Sequence, residues 1–217
     1  MSESASPVYA RLRAQILDLE RMPGSRLTER GLEGDLGASR TPLRAALMRL
    51  EAEGLVAREG RAWQVAPIDL GEIARLSELR DALETAAVRL SAQRADPAAV
   101  ESLSRRLTGF DRALDTEGAV RAGARFHVEL AALSGNHFFA DAVDAAMTRL
   151  ARARWLVAQD AGAWEEHHDI VALVASHDAE GAAELLHRHV VATHDRLLDA
   201  IDADARSLRA RGLAIVR

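Results

Sequence analysis

Apolar residues recur at helical spacing through nearly all of this chain, and the one stretch that departs from that spacing constrains the fold most. Leu55-Val56-Ala57-Arg58 and Trp63-Gln64-Val65-Ala66 are extended segments separated by Glu59-Gly60-Arg61-Ala62, which predicts a β-hairpin with an arginine in its turn. Three helices are expected ahead of it. Pro7, tolerated in a first helical turn behind Ser6 as N-cap, precedes Val8, Leu12, Ile16 and Leu19 at helical spacing, giving a helix that ends near Arg21. Met22-Pro23-Gly24-Ser25 reads as a turn, Leu27, Leu32 and Leu36 mark a short second helix stopped by Gly37, and Ser39 caps a third. Leu43, Ala46, Leu47, Leu50 and Ala52 supply the apolar face of that third helix, which Gly54 closes. Three helices and a hairpin make a winged helix-turn-helix over residues 1–66.

From Asp69 onward no strand is expected. Breaks near Asp96-Pro97, Asp115 to Gly118, Ser134 to Asn136, Ala161-Gly162 and His177-Asp178 divide residues 67–217 into about six amphipathic helices, enough for a bundle. The expected fold class is mostly α: an N-terminal winged helix-turn-helix and a C-terminal antiparallel all-helical bundle. Composition agrees, with 48% apolar residues to fill a core and only 4% aromatic ones. Cysteine is absent, which excludes a disulfide framework, a thiolate metal site and a cysteine nucleophile. No apolar run approaches the roughly 18 residues of a membrane span, and the N-terminus lacks the apolar core of a signal peptide, so a cytoplasmic protein with no membrane partner is expected.

The formal net charge of -5 looks wrong for a nucleic-acid binder until the chain is divided. Residues 1–66 hold 10 Arg against 9 acidic residues, whereas residues 67–217 hold 18 Arg against 24. Every basic residue is Arg, which suits forked contacts to phosphate and guanine, although a GC-rich genome biases codons the same way. In helix-turn-helix geometry the second helix of the pair presents its N-terminal residues to base edges. Those residues here are Ser39-Arg40-Thr41-Pro42-Leu43-Arg44. Arg40 and Arg44 share a helix face, where a guanidinium can bridge guanine O6 and N7, while Ser39 and Thr41 suit phosphate. Arg30 on the preceding helix and Arg61 at the hairpin tip flank this surface.

The segment from Val8 to Pro67 resembles the winged helix of the GntR family. Its Pro-Gly-x-x-Leu turn at Pro23 to Leu27, its SRTPLRAAL helix and its RLEAEGLV exit into the wing carry the likeness. The resemblance implies DNA contacts at Arg30, Ser39, Arg40, Thr41, Arg44 and the wing glycine, here Gly60. The rest of the chain resembles the FCD domain of the FadR subfamily, in ELRDALETAAVRLSA (Glu78 to Ala92), RFHVELAALSGN (Arg125 to Asn136), EHHDIVALV (Glu166 to Val174) and DAEGAAELLHRHV (Asp178 to Val190). This second resemblance implies a small carboxylate effector, often beside a metal.

Read from the residues alone, His127, His167 and His189 stand out because each lies on an apolar helical face. Burying several imidazoles is costly unless hydrogen bonds or a cation compensate. The family resemblance implies that these positions are metal ligands, and that the effector site takes Arg80, His127, Asn136, His167 and His189. Zinc is the first expectation, with nickel or manganese as alternatives. The family's usual fourth ligand, an Asp or Asn one turn before the first histidine, is Gly123 here. Metal binding could then depend on an acidic effector, or the histidines could take an anion directly. Arg80 is either an anchor for the effector carboxylate or the partner of Glu84 four residues on. The expected function is an effector-controlled DNA-binding regulator, a repressor working as a homodimer on palindromic double-stranded DNA. The alternative is a metal-dependent hydrolase using the same three histidines.

Overall fold

Pro7 opens helix α1 (Pro7–Leu17) in a computed structural model that describes residues 6–60, 62–110, 116–156 and 161–216. The helix stops short of the expected Arg21 because Leu19 turns to a left-handed φ of 57°, its N–H falling back on the Ile16 carbonyl. Strand β1 (Arg26–Leu27) and helix α2 (Glu29–Leu36) follow. Leu27 therefore does not begin the second helix as its spacing suggested: Thr28 intervenes as N-cap, its hydroxyl accepting from Gly31 N–H. Gly37 ends α2 at a φ of 63°.

Helix α3 (Arg40–Ala52) buries Leu43, Ala46, Leu47 and Leu50, spaced as one face of a helix should be. Strands β2 (Val56–Glu59) and β3 (Ala62–Val65) form the expected hairpin, and β1 adds to β3, giving an antiparallel sheet of order β1-β3-β2. Leu27 pairs with Trp63, so both side chains enter the core built from α1, α2 and α3 with Leu12, Ile16, Leu32 and Leu47.

A second pairing was not expected. Strand β4 (Ile68–Asp69) runs parallel to β5 (Ile215–Val216), which brings the end of the chain back to its beginning. Ala214 donates to the carbonyl of Pro23 and accepts from Ile68, and its methyl group sits where a side chain on Gly24 would go. Gly24 also takes a φ of 85°, so glycine is required there on two counts. One compact unit of the chain accordingly runs to Leu70 and resumes at Asp204, a return that a boundary at residue 66 does not anticipate.

The other unit spans Gly71–Ala203 and is helical. Its elements are α4 (Leu70–Arg94), α5 (Pro97–Phe110), α6 (Thr116–Ala132), α7 (His137–Arg154), α8 (Ala161–Ala175) and α9 (Ala179–Ala210) up to Ala203, the last turns of α9 belonging to the first unit. The breaks fall where Pro97, Gly135 and Asp178 predicted them; Asp115 lies outside the described residues. Val88, Leu103, Phe126, Leu130, Ile170, Val174 and Leu186 join α4, α5, α6, α8 and α9 in one core. Among the described residues no helix is long and apolar enough to cross a membrane.

Candidate DNA interface and buried histidine centre

Burying Leu43, Ala46, Leu47 and Leu50 turns the opposite face of α3 outward, and Arg40, Thr41, Arg44 and Met48 are all exposed on it. Ser39, at the N-cap position, makes no capping bond with its side chain and is exposed as well. The two arginines are not loose. Arg40 Nε donates to Glu33 Oε1 at 3.0 Å and Arg44 Nε to Glu29 Oε1 at 2.8 Å, so two carboxylates of α2 fix the stems while the rest of each guanidinium faces outward. The pairing with Arg44 holds the Glu29 carboxyl below its usual range. Arg30 is exposed on α2, and Gly60 sits at the tip of the β2–β3 hairpin with a φ of 62° and no atom within 4 Å of where a Cβ would stand. Arg61, expected beside it, lies outside the described residues. Neither acidic tether was foreseen; Glu29 and Glu33 are one turn apart on α2, which is the signal that could have found them.

In the helical unit the apolar faces of α6, α8 and α9 carry His127, His167 and His189 into one place. All three are at most 3% exposed, and each offers a ring nitrogen such that the three lie within 4.8 Å of one another. His127 Nδ1 is 2.7 Å from Glu84 Oε2 of α4, and His189 Nδ1 is 2.7 Å from Glu166 Oε2 of α8. A carboxylate on Nδ1 holds the proton there and directs the Nε2 lone pair inward. The His127 Nε2 so directed has no hydrogen-bond partner, while the Nε2 atoms of His167 and His189 stand 3.2 Å apart. Phe126 stacks on the His167 ring with centroids 4.0 Å apart, and Trp164 meets its edge. Burial, reinforced by the charges of Arg80 and Arg154, pushes the pKa of His127 and His167 well below the ordinary histidine range. His189 is lowered by burial too, against the opposing pull of Glu166. All three imidazoles are therefore neutral at neutral pH, with lone pairs available.

The donor set fits a divalent cation. A tetrahedral ion with metal–nitrogen bonds of about 2.0–2.1 Å keeps its ligand nitrogens about 3.3 Å apart, close to the His167–His189 spacing. Arg80, 2% exposed on α4, takes one of its two expected roles, its Nε donating to Glu84 Oε1 at 2.7 Å, while its Nη2 is buried without a hydrogen-bond partner.

Residues 4–65 match the family described as bacterial regulatory proteins, gntR family, and residues 75–192 match the FCD domain. The Nta operon transcriptional regulator of Aminobacter aminovorans is 32% identical over 187 residues, covering 82% of this chain and 87% of that protein. The chain belongs to the GntR family. An uncharacterised HTH-type transcriptional regulator in an unstable DNA locus of Streptomyces ambofaciens is also 32% identical, over 96% of this chain and 91% of its own length. The solved structure of McbR/YncC from E. coli superposes with a TM-score of 0.77 at 22% identity, over 92% of this chain and 99% of that one, a likeness of fold.

This GntR-family protein is thus a DNA-binding transcription regulator with an FCD effector-binding domain. The hydrolase alternative finds no footing in its relatives, which are transcriptional regulators. Glu84 and Glu166, the carboxylates that touch the centre, are committed to far nitrogens of the histidines, so neither is poised as a general base. Asn136, expected at the effector site, caps α7, its Oδ1 accepting from Phe138 N–H at 3.1 Å, and an Asn directly before a helix is the signal for that role. His187 is paired with Asp81 on the surface, and His168 and His177 line a separate cavity of about 300 Å³ with Ser91, Val100 and Val171 that none of the three central histidines reaches.

Proposed function

We propose that this regulator is a repressor that binds a palindromic operator as a homodimer, and that its affinity is set by a small carboxylate held with a divalent ion at the histidine centre. The reading rests on the convergence of three buried imidazoles, two of them backed by carboxylates, with His127 Nε2 left without a partner. A buried polar atom with no hydrogen bond costs about 1–3 kcal/mol, and an apolar seam gains nothing from three such side chains unless a ligand satisfies them. His127, His167 and His189 would hold the ion, zinc first and nickel or manganese otherwise, and its charge would anchor the carboxylate. Arg40 and Arg44 would read bases, with Ser39, Thr41, Arg30, Gly60 and Arg61 positioning the backbone. Two-fold pairing of protomers would match two half-sites, and effector binding would act by favouring one of two conformations. A cytoplasmic location follows from that role.

Elemental analysis of the untagged protein, purified without chelator, tests the centre: about one zinc, nickel or manganese per chain is expected, lost in His189→Ala. Fluorescence anisotropy on an operator fragment should then show an affinity that shifts with an added carboxylate in the wild type and not in His189→Ala. A metal-free protein whose DNA affinity ignores every carboxylate tried would refute the proposal.

The tethers on α2 give a smaller effect. Replacing Glu29 and Glu33 together by glutamine removes two negative charges beside the DNA, and exposed pairs of this kind are screened by water and contribute little. Binding at low salt should tighten by less than about 10-fold, with scrambled DNA gaining more than operator. Titrations of both DNAs at two salt concentrations check this; an equal gain on both would show that the carboxylates do not orient the arginines.

A further inference from the structure

We propose that Arg154 is the specificity residue of the histidine centre, occupying the room left by the missing fourth ligand and selecting effectors with two or more carboxylates. The inference rests on the effector reading given above and narrows its ligand class. Gly123 is buried on α6 one turn before His127, and Nη2 of Arg154, from the end of α7, lies 3.4 Å from where a Gly123 Cβ would stand. A carboxylate at position 123 would meet that guanidinium before reaching the histidines. Glycine instead leaves the arginine in place. The Arg154 residue is half-buried as a whole, but its guanidinium end is withdrawn from water, and burial lowers its pKa to about 10. Its Nη1 has no partner, and neither has Nη2 of Arg80. Both charges act on all three histidines, so two buried guanidinium groups with unused donors flank the centre.

Charge then decides the ligand. Among the described residues, the carboxylates in contact with the histidines are Glu84, shared between Arg80 and His127, and Glu166, which is 34% exposed and pairs with His189. A divalent ion on the histidines with Arg80 and Arg154 outweighs those two carboxylates by two positive charges. Uncompensated charge in a buried site is expensive, and an acid with one carboxylate neutralises only half of the surplus. A second carboxylate finds a forked donor in Arg154, the geometry in which guanidinium binds carboxylate best. Gly123 and Arg154 thus move the negative charge of the fourth ligand from the protein to the effector.

The experiment uses the full-length protein loaded with zinc and titrated calorimetrically with succinate, citrate and acetate, with bound zinc measured after dialysis. The wild type is expected to bind succinate or citrate at least about 10-fold more tightly than acetate, the effect of one additional charge-assisted pair. Arg154→Met should abolish that preference while zinc per chain stays unchanged, and its ligand-free melting temperature should rise, since a buried unpaired charge has been removed. Gly123→Asp, whose carboxylate would pair with the Arg154 guanidinium in place of the effector, should leave zinc per chain unchanged and lose the preference. Should Arg154→Met fold poorly, Arg154→Gln carries the same expectation. A preference that survives in these variants, or acetate bound as tightly as succinate by the wild type, overturns the role of Arg154. Zinc held while none of the three acids binds would instead refute the effector reading, and this inference with it.

Discussion

A chain carrying Arg40→Ala and Arg44→Ala together is expected to lose most of its operator affinity while melting as the wild type does. Each arginine that bridges guanine O6 and N7 contributes about 1–3 kcal/mol of discrimination, roughly 5- to 150-fold per residue. The fold should not respond, because the Arg40 and Arg44 side chains are 72% and 63% exposed and their ion pairs with Glu33 and Glu29 are surface pairs of small worth. Competition between operator and scrambled DNA, measured at several salt concentrations, separates the roles. If the two arginines read bases, their removal lowers the preference between the two DNAs. If they only bind phosphate, it weakens both DNAs alike and reduces the salt slope by about one per arginine. Full operator affinity in the double variant would remove α3 from the interface.

The parts of this molecule that could be read from its sequence are those whose cause is local. Leu43, Ala46, Leu47 and Leu50 announce α3 because helical spacing alone puts them on one side, and the same spacing fixes which arginines face out. The three histidines were legible for a related reason: a polar ring on an otherwise apolar face has to be compensated by something. What escaped notice depends on partners distant along the chain. Strand β1 is two residues long and exists because Leu27 pairs with Trp63, and β4 exists because Ile215 returns to Ile68. Neither segment has enough residues to show an alternation of its own. The role of Glu84 was half visible: its pairing with Arg80 is a helical i,i+4 contact, but its second oxygen serves His127 on another helix. Arg154 gave no sign at all, since nothing in the α7 sequence shows that its guanidinium turns toward Gly123.

Glu84 is also where the largest loss of stability is expected. It is 2% exposed and accepts from Arg80 with one oxygen and from His127 with the other, so it neutralises one buried cation and fixes one buried ring at once. Glu84→Ala leaves Arg80 charged and unpaired in the core of the helical unit, a situation that costs about 3–5 kcal/mol. A fall in melting temperature on the order of 10 °C should follow. Zinc affinity should drop by about 10- to 100-fold, because His127 loses the group that holds its proton on Nδ1. Glu84→Gln should fall between the two, since an amide oxygen accepts from one of the two donors while its NH₂ opposes the other. The decisive variant is Arg80→Met with Glu84→Met. Replacing a buried pair by apolar side chains of similar volume is near neutral, so most of the melting temperature should return while the zinc affinity stays low. Recovery of stability without zinc would separate the two roles of Glu84; a double variant as unstable as Glu84→Ala would mean that the carboxylate stabilises the fold through His127 and not by neutralising Arg80.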